Sequence, residues 1–459
     1  MKNEFDGRTT AALGLALILL PATAVAEEAT NSSDASTVLD RIEVTSRKRT
    51  EALREVPASI ALVEGEQLAR DSIRSASDIA RLVPGLQMVP QLGNGSFSPV
   101  IRGLSTSFGE PNVGFFIDSV YVGSRSALDF LLGDGIERVE VARGPQSALY
   151  GRNSFAGAIN FVTRDPADHP GQSLRLGIGS DARRSVQWHS AGAVGGNDST
   201  SYRLVANGQQ TDGHWTNELT GDALDARKDQ GLLFSLAMRP DSPLNARWML
   251  KLDRTRADDF AQQFVENNAS FFPPLNDYQQ YVGDLHAPTQ GFAVTPGLFE
   301  RDTQLLAMTL DYAWEVTTLT SITAFNHLDV GHAYDADYSA APLSWSHLDL
   351  DEREFSQELR LSAEAGDGLD WMLGVSGYHA SNERRDGTDF IGPATPLGGQ
   401  QGWNEEDADG FAAFGQLNWR FAPAWTLTLS GRLAHDRKAL RAAIDVRSAQ
   451  GSVSLPFED

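Results

Sequence analysis

Arginine, tyrosine and asparagine crowd around glycines in Val139–Pro166, VEVARGPQSALYGRNSFAGAINFVTRDP. Gly-rich loops between a strand and a helix bind phosphate through backbone N–H groups. No Lys-Ser/Thr pair follows here, and the alternating residues after Phe155, AINFV, read as a strand, so a phosphate cradle does not fit. Other chemistry is equally unsupported. His286, His332 and His347 lie in long connections without metal-ligand spacing and read as solvated loop residues. No nucleophile elbow, HExxH or paired-carboxylate motif appears, so no enzymatic activity, cofactor or metal is expected. With no cysteine, neither disulfides nor thiolate ligands contribute.

The elements around this stretch carry the interpretation. Lys2 and Arg8, the apolar run Ala11–Leu20 and the small residues Ala24-Val25-Ala26 have the form of a secretory signal peptide over residues 1–26. No later run is apolar enough for a spanning helix, which leaves a soluble protein or a β-barrel. The formal charge of -23 excludes nucleic acid as a natural partner. Residues 27–36 are small and polar, a flexible leader. The segment IEVTS that follows is either the first strand of the next domain or an exposed peptide that recruits a partner by β-augmentation.

Residues 56–167 mix a short helix, SASDIARLVPGLQ, capped by Ser77 and stopped by Pro84-Gly85, with the strands VGFFIDSVYVG and IERVEVARG, an α+β pattern. From residue 168 the texture is alternation. In FSQELRLS one face presents Phe355, Leu359 and Leu361 and the other Ser356, Glu358, Arg360 and Ser362, a strand that separates oil from water. Short linkers near Gly195, Pro240, Trp314, Glu364 and Ala422 alternate with long ones at 211–226, 257–300, 329–350 and 381–407. Tight periplasmic turns and long extracellular loops are the pattern of a transmembrane barrel.

The ordered set VPGLQ, IRGLSTS, VGFFIDSVYVG and IERVEVARGPQSALYGRNSFAGAINFVTRDP, with FSQELRLS behind it, resembles the TonB-dependent outer-membrane receptors, siderophore receptors among them. The resemblance implies an N-terminal α+β plug domain (56–167) inside a transmembrane antiparallel β-barrel (168–459), after a periplasmic leader with the TonB box (27–55). It places that box on Asp40, Arg41, Ile42, Glu43, Val44 and Thr45, whose partner is the inner-membrane energy transducer TonB. It makes Arg102, Gly103, Arg143, Gly144, Tyr150, Gly151, Arg152 and Asn153 a plug lock facing polar barrel walls. The arginines would grip inward carboxylates, or pair only within the plug.

The aromatic-rich connection 257–300 offers Phe271, Phe272, Tyr278 and Tyr281 as ligand-binding candidates, with a membrane girdle or loop packing as the other reading. The implied function is active import across the outer membrane of a small ligand, by default a ferric siderophore, the alternatives being vitamin B12, haem, oligosaccharide or a passive porin-like channel. About 11 strands are expected between Gln172 and Arg437, and the tail SVSLPFED is not expected to close a barrel. Because a plugged transporter has roughly 22 strands, the chain is expected to be truncated within the barrel.

Overall fold

The computed structural model describes residues 43–458 except 46, 72, 74, 76, 92–95, 107–108, 124–132, 214, 217–222, 259–297, 336–343, 366–367, 392–395 and 449–450. Asp40, Arg41, Ile42 and the candidates Phe271, Phe272, Tyr278 and Tyr281 lie outside the described residues.

Apolar runs bounded by turn residues build the N-terminal part. The hairpin β1 (Glu43–Val44) and β2 (Glu51–Ala52) leads into β3 (Ser59–Glu64) and the one-and-a-half-turn helix α1 (Gly65–Arg70). A 3-10 helix at Ser77–Arg81 begins where the Ser75 N–H donates to Asp78 (3.2 Å), and Gly85, at φ +81, turns the chain out of it. Next come the hairpin β4 (Leu86–Gln91) and β5 (Ser96–Ile101), then β6 (Val113–Ile117), β7 (Val120–Tyr121), β8 (Ile136–Arg143), the single turn α2 (Ser147–Tyr150) and β9 (Gly157–Thr163). Five of these strands form one sheet in the order β3-β8-β9-β6-β7, in which β6 and β9 are parallel. All five residues of β6, VGFFI, are buried, as a strand covered on both faces requires. The Gly-rich stretch therefore runs strand, one turn, strand.

The second part is a 12-stranded antiparallel sheet whose spatial order follows the sequence. Its strands are β10 (Gly171–Ile178), β11 (Arg184–Val194), β12 (Asn197–Thr211), β15 (Arg227–Met238), β16 (Leu244–Asp258), β17 (Leu298–Trp314), β18 (Thr317–Asp335), β19 (Ser344–Ala365), β20 (Leu369–Ile391), β21 (Pro396–Ala422), β22 (Trp425–Ser448) and β23 (Gly451–Glu458). The small hairpin β13 (Trp215–Thr216) and β14 (Ala223–Leu224) sits in one connection. Alternation sorts the two faces. Leu373, Phe411 and Leu433 are 60–81% exposed on the outer face, while Glu358 on the inner face meets the N-terminal part. Tyr312, Trp314, Trp419, Phe421 and Trp425 gather at the short turns, with neighbouring ring centroids 5.6–6.4 Å apart, a membrane-interface belt.

Two expectations need correction. The spans 329–350 and 381–407 are largely strand, because β18–β22 continue far past the length that crosses a bilayer. Beyond the lipid both faces of a strand meet water, so alternation fades although pairing persists. The tail is the strand β23, antiparallel to β22, and, in keeping with the expectation that it closes no barrel, among the described residues it does not pair with β10. The inner wall is also not uniformly polar. Val205, Leu233, Met249, Leu305, Ala307, Ile322 and Ala324 of β12 and β15–β18 join one hydrophobic core with Val139, Val141, Ile159 and Phe161.

Candidate functional site

The described half of the expected TonB box is docked. Val44 is 1% exposed in β1, and Glu140 on β8 holds the next residue: its Oε1 accepts from the Thr45 N–H (2.7 Å), Thr45 Oγ1 (3.1 Å) and Arg138 Nε (2.8 Å). Burial raises the Glu140 pKa, and the Thr45 N–H and Arg138 pull part of that back.

Three consecutive cations then tie this segment to the sheet. Arg47 donates to Asn418 on β21 (2.7 Å), Lys48 to Glu358 on β19 (2.5 Å), and Arg49 lies 3.5 Å from Asp370 on β20. The Lys48 side chain is only 3% exposed, its ammonium 5.0 Å from the Phe414 ring centroid and 5.9 Å from that of Tyr150. Burial lowers the Lys48 pKa, and Glu358 works against that. In the sequence this triplet looks like solvated charge beside a loose motif. Its position directly after the box, in a strongly acidic chain, was the available signal.

A second set of contacts surrounds α2. Tyr150 packs in a small cluster with Phe116, Leu149, Met372 and Phe414 that spans both parts, and its burial pushes the phenol pKa up. Gly151 has φ +81, and a Cβ there would stand 2.8 Å from Arg432 on β22, so a glycine permits this approach. Arg152 pairs with Glu354 on β19 and lies over two rings, 4.6 Å from Tyr121 and 3.8 Å from Tyr378. Burial opposes the Arg152 cation, but Glu354 and the tyrosines outweigh it and raise its pKa. Asn153, in the left-handed region at φ 59, donates to Glu110 and to Tyr121 Oη (2.5 Å), and Glu110 accepts from Lys438 on β22 (2.7 Å).

The other expected lock residues differ. Arg143 donates to the Pro84 carbonyl (3.1 Å), and among the described residues no carboxylate pairs with it. Arg102 is exposed at φ 53, with Gly103 beside it at φ +78 and Gly144 at φ +107. Arg102 thus lies in a turn of the plug and Arg143 at the end of its strand β8. His332 is no loop residue: it is 8% exposed on β18, stacked on Tyr334 and edge-on to Phe299.

Two sequence models match along the chain, the TonB-dependent Receptor Plug Domain over residues 52–158 and the TonB dependent receptor-like β-barrel over residues 247–443. The chain belongs to the TonB-dependent receptors. This is a family of receptors and transporters, and membership places the chain in the outer membrane. The pesticin receptor of Yersinia enterocolitica is 25% identical over 442 residues, 93% of this chain and 59% of the relative. The vitamin B12 transporter of Vibrio vulnificus is 28% identical over 243 residues, 51% of this chain and 38% of the relative. The ferric yersiniabactin uptake receptor of Yersinia pestis shares the fold at a TM-score of 0.73 with 18% identity, over 88% of this chain and 60% of that one. The chain therefore spans about 38–60% of the length of these relatives. In the family's terms, the first part is the plug and the large sheet is barrel wall.

Proposed function

We propose that this receptor actively imports a ferric siderophore, with TonB pulling on the segment Asp40–Thr45. One observation carries the reading: Glu43–Thr45 is docked on the plug by a two-residue strand and one buried carboxylate, a weak attachment, while the residues just behind it grip the wall. A peptide held so lightly can leave and pair with another chain as an added strand. A passive channel has no use for such a segment. The siderophore reading draws support from the rhizobactin and ferric yersiniabactin receptors among the relatives; vitamin B12 is the second reading, from the Vibrio vulnificus transporter.

The test is growth and uptake of radiolabelled iron under iron limitation, with and without the gene, over a panel of ferric siderophores, with labelled cyanocobalamin in parallel. Iron uptake that depends on the gene supports the reading; gene-dependent cyanocobalamin uptake with unchanged iron uptake replaces it by the second. Val44→Pro, which removes a main-chain donor, should abolish uptake while binding of the transported ligand at the cell surface persists. Uptake at the normal rate would refute the box assignment.

A further inference from the structure

The seam between plug and wall is not uniform. Against β12 and β15–β18 it is closed by apolar packing, and against β19–β22 it is bolted by Lys48–Glu358, Arg152–Glu354 and Glu110–Lys438. Between α1 and strands β10–β12 lies a gap instead, a cavity of about 460 Å³. The plug lines it with Gly65, Leu68 and Arg70, and the wall with Ser185, Gln187 and Gln209, whose amides and hydroxyl can stand in for the hydration of a polar solute.

Among the described residues an ion pair crosses the gap, from Arg175 on β10 to Asp134 in the plug, and Arg175 also donates to Gln187 (3.1 Å). Asp134 stands between two glycines pressed onto the wall. A Cβ at Gly133 would lie 2.8 Å from Gln187 Nε2, and one at Gly135 would lie 2.3 Å from Leu233. Gly65 in turn sits against the carbonyls of Ile136 and Glu137, where a Cβ would come within 2.4–2.9 Å, so α1 and the Gly133–Gly135 turn are packed as one unit. A six-residue helix and a turn whose glycines bring no side chain to the wall, with a half-exposed ion pair as the charged contact, cost less to displace than the apolar seam or the Lys48–Glu358 and Arg152–Glu354 pairs, which are far less exposed.

We propose that imported solute passes the plug through this gap between α1 and β10–β12, and that the Asp134–Arg175 pair is the bar across it. The proposal rests on the importer reading. The solute class is a polar, hydrogen-bonding chelate.

These 459 residues contain no cysteine; any native cysteine elsewhere in the full-length receptor is first replaced by serine, so that the introduced thiols are its only ones. In outer membranes, the small anionic reagent 2-sulfonatoethyl methanethiosulfonate should modify Gln187→Cys at least about tenfold faster than Leu305→Cys in the apolar seam, since reactivity follows thiol exposure. Equal rates would overturn the aqueous gap. In cells, Asp134→Cys with Arg175→Cys, joined by a reducible bis-methanethiosulfonate linker, should lose about tenfold or more of the uptake of iron presented as ferric yersiniabactin, retain its binding, and recover uptake on reduction. Cross-linked protein that transports within about twofold of the reduced form overturns the route. If the reduced form transports no ferric yersiniabactin, the importer reading fails for that chelate, and the labelling rates alone then decide for or against the gap.

Discussion

Lys48 shows how one residue can hold two bodies together. Its ammonium, in a side chain 3% exposed, is 2.5 Å from Glu358. Removing one partner of a buried pair leaves the other charge uncompensated and costs about 3–5 kcal/mol, whereas replacing both by apolar groups is often neutral. We therefore expect Lys48→Met or Glu358→Gln alone to speed amide exchange at Val44 and Thr45, and the double change Lys48→Met with Glu358→Leu to restore most of the protection. Additive losses would show that the two side chains act separately. Glu140 adds a pH dependence. Its folded-state pKa is raised above the ordinary value of 4.5, chiefly by burial. Its stabilising contribution is thus complete below that ordinary value and is lost as pH rises through the raised one. Glu140→Gln does not titrate, so its denaturation midpoint in detergent should fall less than the wild type's between acid and neutral pH; parallel curves would contradict the assignment.

At the scale of elements, the turn α2 packs directly against the wall, with Tyr150 in one cluster with Met372 and Phe414. Gly151→Ala meets both a left-handed φ of +81 and the Arg432 guanidinium 2.8 Å from the new Cβ, while Gly103→Ala meets only the φ of +78 in open space. A positive φ costs a side chain about 1–3 kcal/mol, and Gly151 adds a ψ of -135 and the wall contact, so Gly151→Ala should lose more stability than Gly103→Ala. Equal losses in detergent denaturation would contradict that ordering. The strand–turn–strand course of this stretch was legible because alternation on either side of Tyr150–Asn153 fixes its period. The partners were not. Period assigns a face to a side chain, but what stands opposite depends on chain that is distant in sequence: Arg152 finds Glu354 while Arg143 finds the Pro84 carbonyl. The lipid-facing strands were legible for the same reason, and the tall ends of β18–β22 were not, since in water nothing selects between faces. The apolar wall of β15, LLFSLAM, carries leucines at adjacent positions, which marks a strand covered on both sides.

For the whole molecule, the consequential feature is the edge of the large sheet. Its order runs from β10 to β23, and among the described residues nothing pairs with the outer side of β10. On the other flank β23 covers Arg441–Ser448 of β22, and among the described residues Trp425–Leu440 has a partner on one side alone. Leu427, Leu429 and Leu433 along that span are 42–81% exposed, so this edge belongs to the lipid zone, where each unsatisfied backbone group costs several kcal/mol. The 459 residues taken by themselves in detergent should therefore show a graded pattern of hydrogen exchange. Amides of β17, β18 and β19, paired on both sides, should be the slowest. Those of β10 and of the Trp425–Leu440 span that point away from the ladder should exchange faster by orders of magnitude, and the difference should narrow if further strands or a second copy cover the edges. Uniform protection across β10, β19 and β22 would show that the two flanks are already paired, with each other or with another chain, and that the free edges are not a property of the protein in solution.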